Sequence, residues 1–526
     1  MLGMAYLSAA LEVSAQAHHI EDLNLDFLGY LEDMEGSGTG EVATRLRTES
    51  AASARFEPKR YLTDPRGYLA AYQRQGAQLA TWGTSSADWC FWQYGIGHVD
   101  GWSDLDAVVK AAVSPSEPIK GWLASSAAVR RVVEHRPDWV GLSVSFEGQL
   151  HLALALAHHL RVRTGAVIVL GGGLVNTFGS YIGPRTPFWS CVDGVVLGAG
   201  ERVVGRMISE DSTVIPKGVA LSWIRQGKWL CDVRGQRHPP PLPSFATLPL
   251  SRYRAAGTVL PYRVFSRCHW RRCAFCADNR YHFHGDACAA VVEDVVRELD
   301  ELCAVHQVEG IYFLDAELPV SFLLDLSRQL RSGGRLLWGA NARVHEALTQ
   351  RENVEELRNG GCRFLRFGIE SGSQRMLDLM GKGVTLDVAS RTLEAVSGAG
   401  MVTHAYLLKG FIGETPSDWS RTVDFVLDRA SWIDMLSVSP FLAYEGSAGV
   451  ERNPSRFLRV ADEAHWLYPK DLEAQSCSSG TENELVERLL RLRGKTRAFP
   501  TVADTILLSG CMSLDYRLGT EGRPLP

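Results

Sequence analysis

No stretch of this chain is long and apolar enough to carry it across a bilayer. The strongest candidate, Ala166–Val175, is far shorter than the roughly 20 residues a spanning helix needs. Net charge is also slight. The 55 basic and 60 acidic residues leave −5 over 526 residues, so no basic stripe marks a nucleic-acid partner. A disulfide framework is absent as well. The 11 cysteines, odd in number and scattered along a long chain, suit a reducing cytoplasm. Met1–Ala17 is apolar and ends in small residues, but it lacks a basic start and Glu12 interrupts it. It reads as an amphipathic helix rather than a secretory leader. No internal repeat is visible.

The hydrophobic share of 45% is enough for two or three packed domains. The first part alternates helix and strand. A helix near Leu2–Gln16 is followed by a strand at His19–Leu25, and residues 36–67 read as an irregular insertion. Further strands are expected at Trp139–Phe146, Ala166–Leu170 and Val192–Leu197, with a helix at Gly148–Arg161. The last two strands break into Gly171-Gly172-Gly173 and Gly198-Ala199-Gly200-Glu201. This alternation predicts a doubly wound parallel sheet that binds ligands at the C-terminal ends of its strands. Each glycine turn taken alone is equally well explained as a tight turn.

Pro239-Pro240-Pro241-Leu242-Pro243 marks a linker, after which the pattern restarts. Strands are expected at Thr258–Phe265, Gly310–Leu314, Arg335–Ala340, Phe364–Ile369, Thr403–Leu408 and Met435–Phe441. Ala289–Cys303 is helical, with Val292, Val295, Val296, Leu299 and Leu302 on one face. Six strands with crossover helices predict a partial (β/α)6 barrel with its site at the strands' C-terminal ends. The domains are therefore read as 1–238, a linker at 239–252, a barrel at 253–442 and a small C-terminal region at 443–526 containing a helix at Glu482–Arg493.

The first barrel strand runs into Cys268-His269-Trp270-Arg271-Arg272-Cys273-Ala274-Phe275-Cys276. Three thiolates this close can hold three irons of a 4Fe–4S cluster. No fourth cysteine follows at an obvious spacing, so one iron is left open to a small molecule such as S-adenosylmethionine (SAM). The bland alternative is zinc, since Cys273-x-x-Cys276 has knuckle spacing and His282, His284 and Cys288 lie downstream.

Together these residues resemble the radical SAM enzymes, and within them the cobalamin-binding branch. The cysteine loop is similar to the family's cluster loop, one residue longer than its commonest spacing. Phe275 sits where the family places an apolar residue against adenine. Leu314-Asp315-Ala316-Glu317 ends the second strand without the usual Gly-Gly-Glu; the resemblance assigns Asp315 and Glu317 to the SAM amino group and Arg343 to its carboxylate. Gly368–Leu377, with Glu370 and Ser371, resembles the ribose-and-carboxylate segment, and Gly410–Thr415, with Gly410 and Gly413, the loop near adenine. A single Glu or Arg is more often a surface group; their common placement at strand ends, in the family's order, argues against zinc.

Residues 1–238 resemble a Rossmann-like cobalamin-binding domain. Ser143, Ser145, Gly171, Gly172, Gly173, Gly198, Gly200 and Glu201 match its loops. His98 and Gly101 lie at the matching separation upstream, but Ile96 stands where the B12 pattern has Asp, and His98 reads as structural rather than as a cobalt ligand. The family's first strand has no counterpart before the helix at Leu2.

The resemblance implies C-methylation of an unactivated carbon in a natural-product or peptide substrate, through a 5′-deoxyadenosyl radical and methylcobalamin. It also implies a reducing partner such as flavodoxin or ferredoxin. The alternatives are a non-methylating enzyme of the same branch (oxidation, cyclisation or rearrangement) and a non-catalytic cluster- or cobalamin-binding protein. Trp82, Trp89, Trp92 and Trp102 read as core rather than as a pocket, and Cys477 and Cys511 lack partners at metal-ligand spacing. No substrate acid or base is legible.

Overall fold

The computed structural model describes residues 2–27, 29–30, 105–145, 149–179, 182, 186–208, 241–252, 258–265, 268–276, 291–308, 310–333, 336–441 and 447–452, together with strands at 89–92, 95–98, 220–223, 229–232, 443–444, 457–459 and 466–469. The expected insertion at 36–67, Trp82, Trp102, His282, His284, Cys288, Cys477, Cys511 and the helix at Glu482–Arg493 lie outside the described residues.

A short antiparallel hairpin pairs β1 (Trp89–Trp92) with β2 (Gly95–His98). The first large sheet contains β3 (Trp139–Ser143), β4 (Val167–Gly171), β5 (Gly194–Leu197), β6 (Ala220–Trp223) and β7 (Trp229–Asp232). Its order is β3-β4-β5-β7-β6; only the β6–β7 pair is antiparallel. Helix Leu150–Thr164 crosses between β3 and β4 and buries Leu154, Ala157 and Leu160 against the sheet core. Gly165 ends it at φ 72°, the left-handed cap that glycine favours.

The second sheet is the expected half-closed barrel. Its strands are β8 (Val259–Tyr262), β9 (Gly310–Phe313), β10 (Leu337–Ala342), β11 (Cys362–Glu370), β12 (Val402–Lys409) and β13 (Met435–Pro440). They pair in chain order, all parallel. Alternation along β11 sorts the side chains. Leu365, Phe367 and Ile369 enter the core beneath the helices, so Phe364, Arg366, Gly368 and Glu370 face the lumen. A small sheet of β14 (Ala443–Tyr444), β15 (Phe457–Arg459) and β16 (Trp466–Pro469) follows.

Helix α1 (Leu2–Val13) joins the two halves. Leu2, Ala5 and Tyr6 share one buried cluster with Leu260, Tyr262 and Phe265 of the barrel. Its backbone also takes part, because the Ala5 carbonyl accepts from Ser244 N–H at 3.0 Å. Thus the first residues of the chain contribute to the barrel core as well as flanking the first sheet.

One expected element is corrected. His19–Leu25 is not a strand: residues 16–22 are irregular and 23–27 are helical. The Asp22 carboxylate accepts from Leu25 N–H at 3.3 Å, a helix-starting cap. One turn on, Asp26 accepts from Trp122 Nε1 at 2.8 Å and Ser126 Oγ at 2.6 Å. Strands β6 and β7 were not anticipated from the sequence. Among the described residues no helix is long and apolar enough to cross a membrane.

Glycine is required at one of the turns that follow the strands of the first large sheet. Gly172 has φ 109°, and a Cβ there would lie 2.4 Å from the Val144 carbonyl oxygen. At Gly171 the nearest contact would be an ordinary 3.5 Å. Gly172→Ala is therefore expected to cost about 1–3 kcal/mol in urea unfolding, and Gly171→Ala to stay within about 1 kcal/mol.

Candidate functional site

The cysteine loop has no helix or strand of its own and is held from outside. Asp315, buried at the end of β9, accepts from Val264 N–H at 3.0 Å and Phe265 N–H at 2.5 Å. Burial raises its pKa to about 6, against the opposing pull of those two amides. Its carboxylate thus orients the strand end that feeds the loop. The other clamp is the turn Met380–Gly383. Ala274 N–H donates to the Met380 carbonyl at 2.7 Å, and Trp270 Nε1 donates to the Gly381 carbonyl at 2.9 Å. Gly383, at φ 66°, has the Trp270 ring against it; a Cβ there would meet the ring at 2.1 Å.

Cys268, Cys273 and Cys276 form no disulfide, and each is part-buried. Cys268 Sγ donates to Glu317 Oε2 at 3.2 Å. Burial chiefly, and the adjoining carboxylate as well, push this thiol up to about 11. The Cys273 thiol is raised by burial too, with Lys382 and Arg343 opposing the shift. Among the described residues, no three His, Cys, Asp or Glu side chains gather into a site for a single metal ion.

Two cations stand beside the loop. Arg343 stacks on Trp270 at 4.1 Å and donates to the Lys382 carbonyl. Lys382 Nζ lies 2.7 Å from Glu370 Oε1, with both side chains about nine-tenths buried, and 5.8 Å from the Phe275 ring. Glu370 itself sits at φ 64°, an unusual backbone for a non-glycine residue. Below the loop, Ala274, Met376, Met380, Phe411 and Phe441 form a small apolar cluster that Phe275 joins.

The remaining strand-end candidates divide. Ser371 is fully buried, and its hydroxyl is engaged by Thr422 Oγ1 at 3.0 Å and Ser373 N–H at 3.1 Å. With Ser373 and Arg375, both bonded to Asp418, it ties the segment after β11 to the start of helix Pro416–Asp428. Gly410 N–H donates to Glu414 Oε2 at 2.5 Å, and the Gly413 carbonyl accepts from Arg375 at 2.8 Å. Burial raises the Glu414 carboxyl to about 7. Lys382, Arg366 and Glu414 were not singled out from the sequence. Glu414 alone stood inside a recognised segment.

Across the seam, Ser143, Ser145, Gly171, Gly172, Gly173, Gly198, Gly200 and Glu201 all line one cavity of about 2350 Å³. Asn176 Oδ1 accepts from Gly198 N–H at 2.7 Å and fixes the loop after β5. The opposite wall comes from the barrel: Tyr262–Phe265, Tyr312, Leu314 and Arg366. Beyond β8 the lining reaches Phe265 but none of the three cysteines. Side chains of the β1–β2 hairpin, including His98, are not described.

Residues 262–426 match the Radical SAM superfamily. The barrel is a radical SAM domain. An uncharacterized methyltransferase of Pyrococcus horikoshii is 26% identical over 55% of this chain and 64% of its own. An anaerobic magnesium-protoporphyrin IX monomethyl ester cyclase of Rubrivivax gelatinosus is 24% identical over 69% of this chain and 66% of its own. The matches thus span just under two thirds of these relatives. The solved structure of the cobalamin-dependent SAM radical enzyme OxsB, with aqua-cobalamin bound, superposes with a TM-score of 0.52 at 14% identity, over 72% of this chain and 65% of that one. The fold of sheet plus radical SAM domain is therefore shared with that enzyme.

Two predictions test the radical SAM domain's internal supports. Lys382→Met strands the buried Glu370 carboxylate and is expected to cost about 3–5 kcal/mol, most of it recovered when Glu370→Gln is added; chemical unfolding measures both. Glu414 binds its proton more tightly folded than unfolded. Its contribution therefore favours the fold below its ordinary value and fades as pH rises towards about 7. Stability of Glu414→Gln is expected to fall less than wild type across that window in urea titrations.

Proposed function

We propose that this chain is a cobalamin-dependent radical SAM enzyme that methylates an unactivated carbon of a natural-product or peptide substrate. One observation carries the reading: the C-terminal loops of both sheets open on the same cavity. Ligand sites of both architectures lie at these strand ends. At about 2350 Å³ the cavity exceeds the ~300–1,000 Å³ typical of a site for one small molecule, which suits a large cofactor together with a substrate.

The residues fit the implied groups. Cys268, Cys273 and Cys276, outside any disulfide and part-buried on one clamped loop, would hold a 4Fe–4S cluster. Phe275 on that loop, with Glu317, Arg343, Glu370, Gly410 and Gly413 at or just beyond the barrel strand ends, would hold SAM; Arg343 brings positive charge for its carboxylate. Asp315 and Ser371 would serve by fixing backbone, since their oxygens are already engaged. Ser143, Ser145, Gly171–Gly173, Gly198, Gly200 and Glu201 would receive cobalamin, and Gly172 allows the close backbone approach that a large ring requires.

When bound, the cluster supplies the electron that cleaves SAM to a 5′-deoxyadenosyl radical, and cobalamin supplies a transferable methyl group. The protein's own work is to hold the thiol loop rigid, orient SAM with buried charge and keep the substrate in the cavity between the two sheets and α1. A low-potential donor such as flavodoxin or ferredoxin in the cytoplasm would supply the electron.

A second reading keeps the cofactors but not the methyl transfer. It is favoured by the Rubrivivax relative, which is named a cyclase and matches more of this chain than the Pyrococcus methyltransferase does. Product analysis separates the two. Anaerobically reconstituted, reduced protein with SAM and cobalamin is expected to yield both 5′-deoxyadenosine and S-adenosylhomocysteine. Alanine at Cys268, Cys273 or Cys276 should abolish both products and lower bound iron. 5′-Deoxyadenosine without S-adenosylhomocysteine selects the second reading, and neither product overturns both.

A further inference from the structure

Arg366 sits in the middle of β11, in register with Asn341 on β10 and His404 on β12. It is only 9% exposed. Its Nε and Nη2 are buried and have no hydrogen-bond partner. A guanidinium presents five donors in a planar fork, and leaving buried donors of a charged group unmet is costly. Three rings surround the charge: Tyr312 at 4.7 Å, Phe364 at 5.3 Å and Tyr406 at 6.0 Å. Aromatic faces balance a cation electrostatically, but they do not replace the oxygen acceptors its N–H groups are shaped for.

Among the described residues no hydrogen bond or ion pair reaches Arg366 Nε or Nη2. Glu370, further up the same strand, is paired with Lys382. The neighbouring His404 is kept neutral by burial and by Arg366 itself, and its Nε2 faces Ser437 Oγ at 3.0 Å. Yet Arg366 lines the cavity shared by the two sheets, so an acceptor can come from a ligand.

We infer that Arg366 binds a carboxylate borne on an apolar portion of the substrate, at the floor of the shared cavity. A carboxylate matches the guanidinium fork bidentately. A phosphate dianion would call for a second cation beside the fork. Tyr312, which lines the cavity beside Arg366, favours an aryl or alkyl stem over a sugar. Four residues separate Arg366 from Glu370, a rise of about 13 Å along the strand. The acid end would therefore lie deep, with the body of the substrate reaching towards the cysteine loop. Calling the ligand a substrate rests on the function proposed above; the anion site itself does not.

The test uses the full-length apo-protein, with 3-phenylpropionate as probe and 3-phenylpropionamide as its uncharged match. At about 10 mM the acid is expected to raise the wild-type melting temperature by roughly 2 °C or more, and the amide to leave it unchanged. Arg366→Met should erase that difference, and Arg366→Lys should retain part of it. Without ligand, Arg366→Met should melt no lower than wild type, because it removes an uncompensated buried charge. Equal shifts with acid and amide, or an Arg366→Met protein that melts several degrees lower without ligand, would overturn the inference. Wild-type SAM cleavage is scored separately. Acid binding through Arg366 in a chain that never cleaves SAM keeps the site and removes the functional reading; cleavage without acid discrimination does the reverse.

Discussion

The docking of the cysteine loop on the turn Met380–Gly383 is the contact on which the site depends. A loop with no regular structure cannot fix three thiols by itself, because its backbone freedom would have to be removed elsewhere. Here a backbone hydrogen bond from Ala274, an indole bond from Trp270 and the bare face of Gly383 restrict it. The same turn carries Lys382 into its pair with Glu370 and offers its carbonyl to Arg343. Loop geometry and local charge are therefore set by one short segment. Asp315 anchors the other end through two amides.

Much of the architecture is legible in the sequence because buried parallel strands read as short apolar runs between amphipathic helices. All six barrel strands fall where those runs lie, and they pair in chain order. The sheet preceding them was legible as far as Leu197, after which β6 and β7 escaped notice. Misreading His19–Leu25 has a local cause. Its alternation of apolar and polar residues mimics a strand, while Asp22 caps a helix that Asp26 then fastens to Trp122 and Ser126. Periodicity cannot reveal a carboxylate whose partners lie about a hundred residues away.

Legibility of the site divides along the same line. The cysteines and the glycine turns announce themselves, since spacing and backbone demand are local properties. Lys382 does not, because a lysine after glycine looks like a solvated turn until Glu370 is found facing it. Arg366 is harder still: inside an apolar strand it reads as an anomaly without a partner. Asp315 and Ser371 looked like ligand-binding groups, and the fold engages their oxygens with backbone amides and a threonine hydroxyl. Polar residues at strand ends thus serve two purposes that sequence alone does not separate, contact with a ligand and support for the residues that make contact.

Helix α1 bears on how the chain comes to be folded on the ribosome. Leu2, Ala5 and Tyr6 are made well before the other members of the core they complete, which begin at Phe245 and continue through the barrel. At about 5–20 residues per second, those partners emerge more than about ten seconds after the helix. Through that interval the helix exists without its permanent neighbours. Closure of the barrel core is in this sense a late event of synthesis that reaches back to α1.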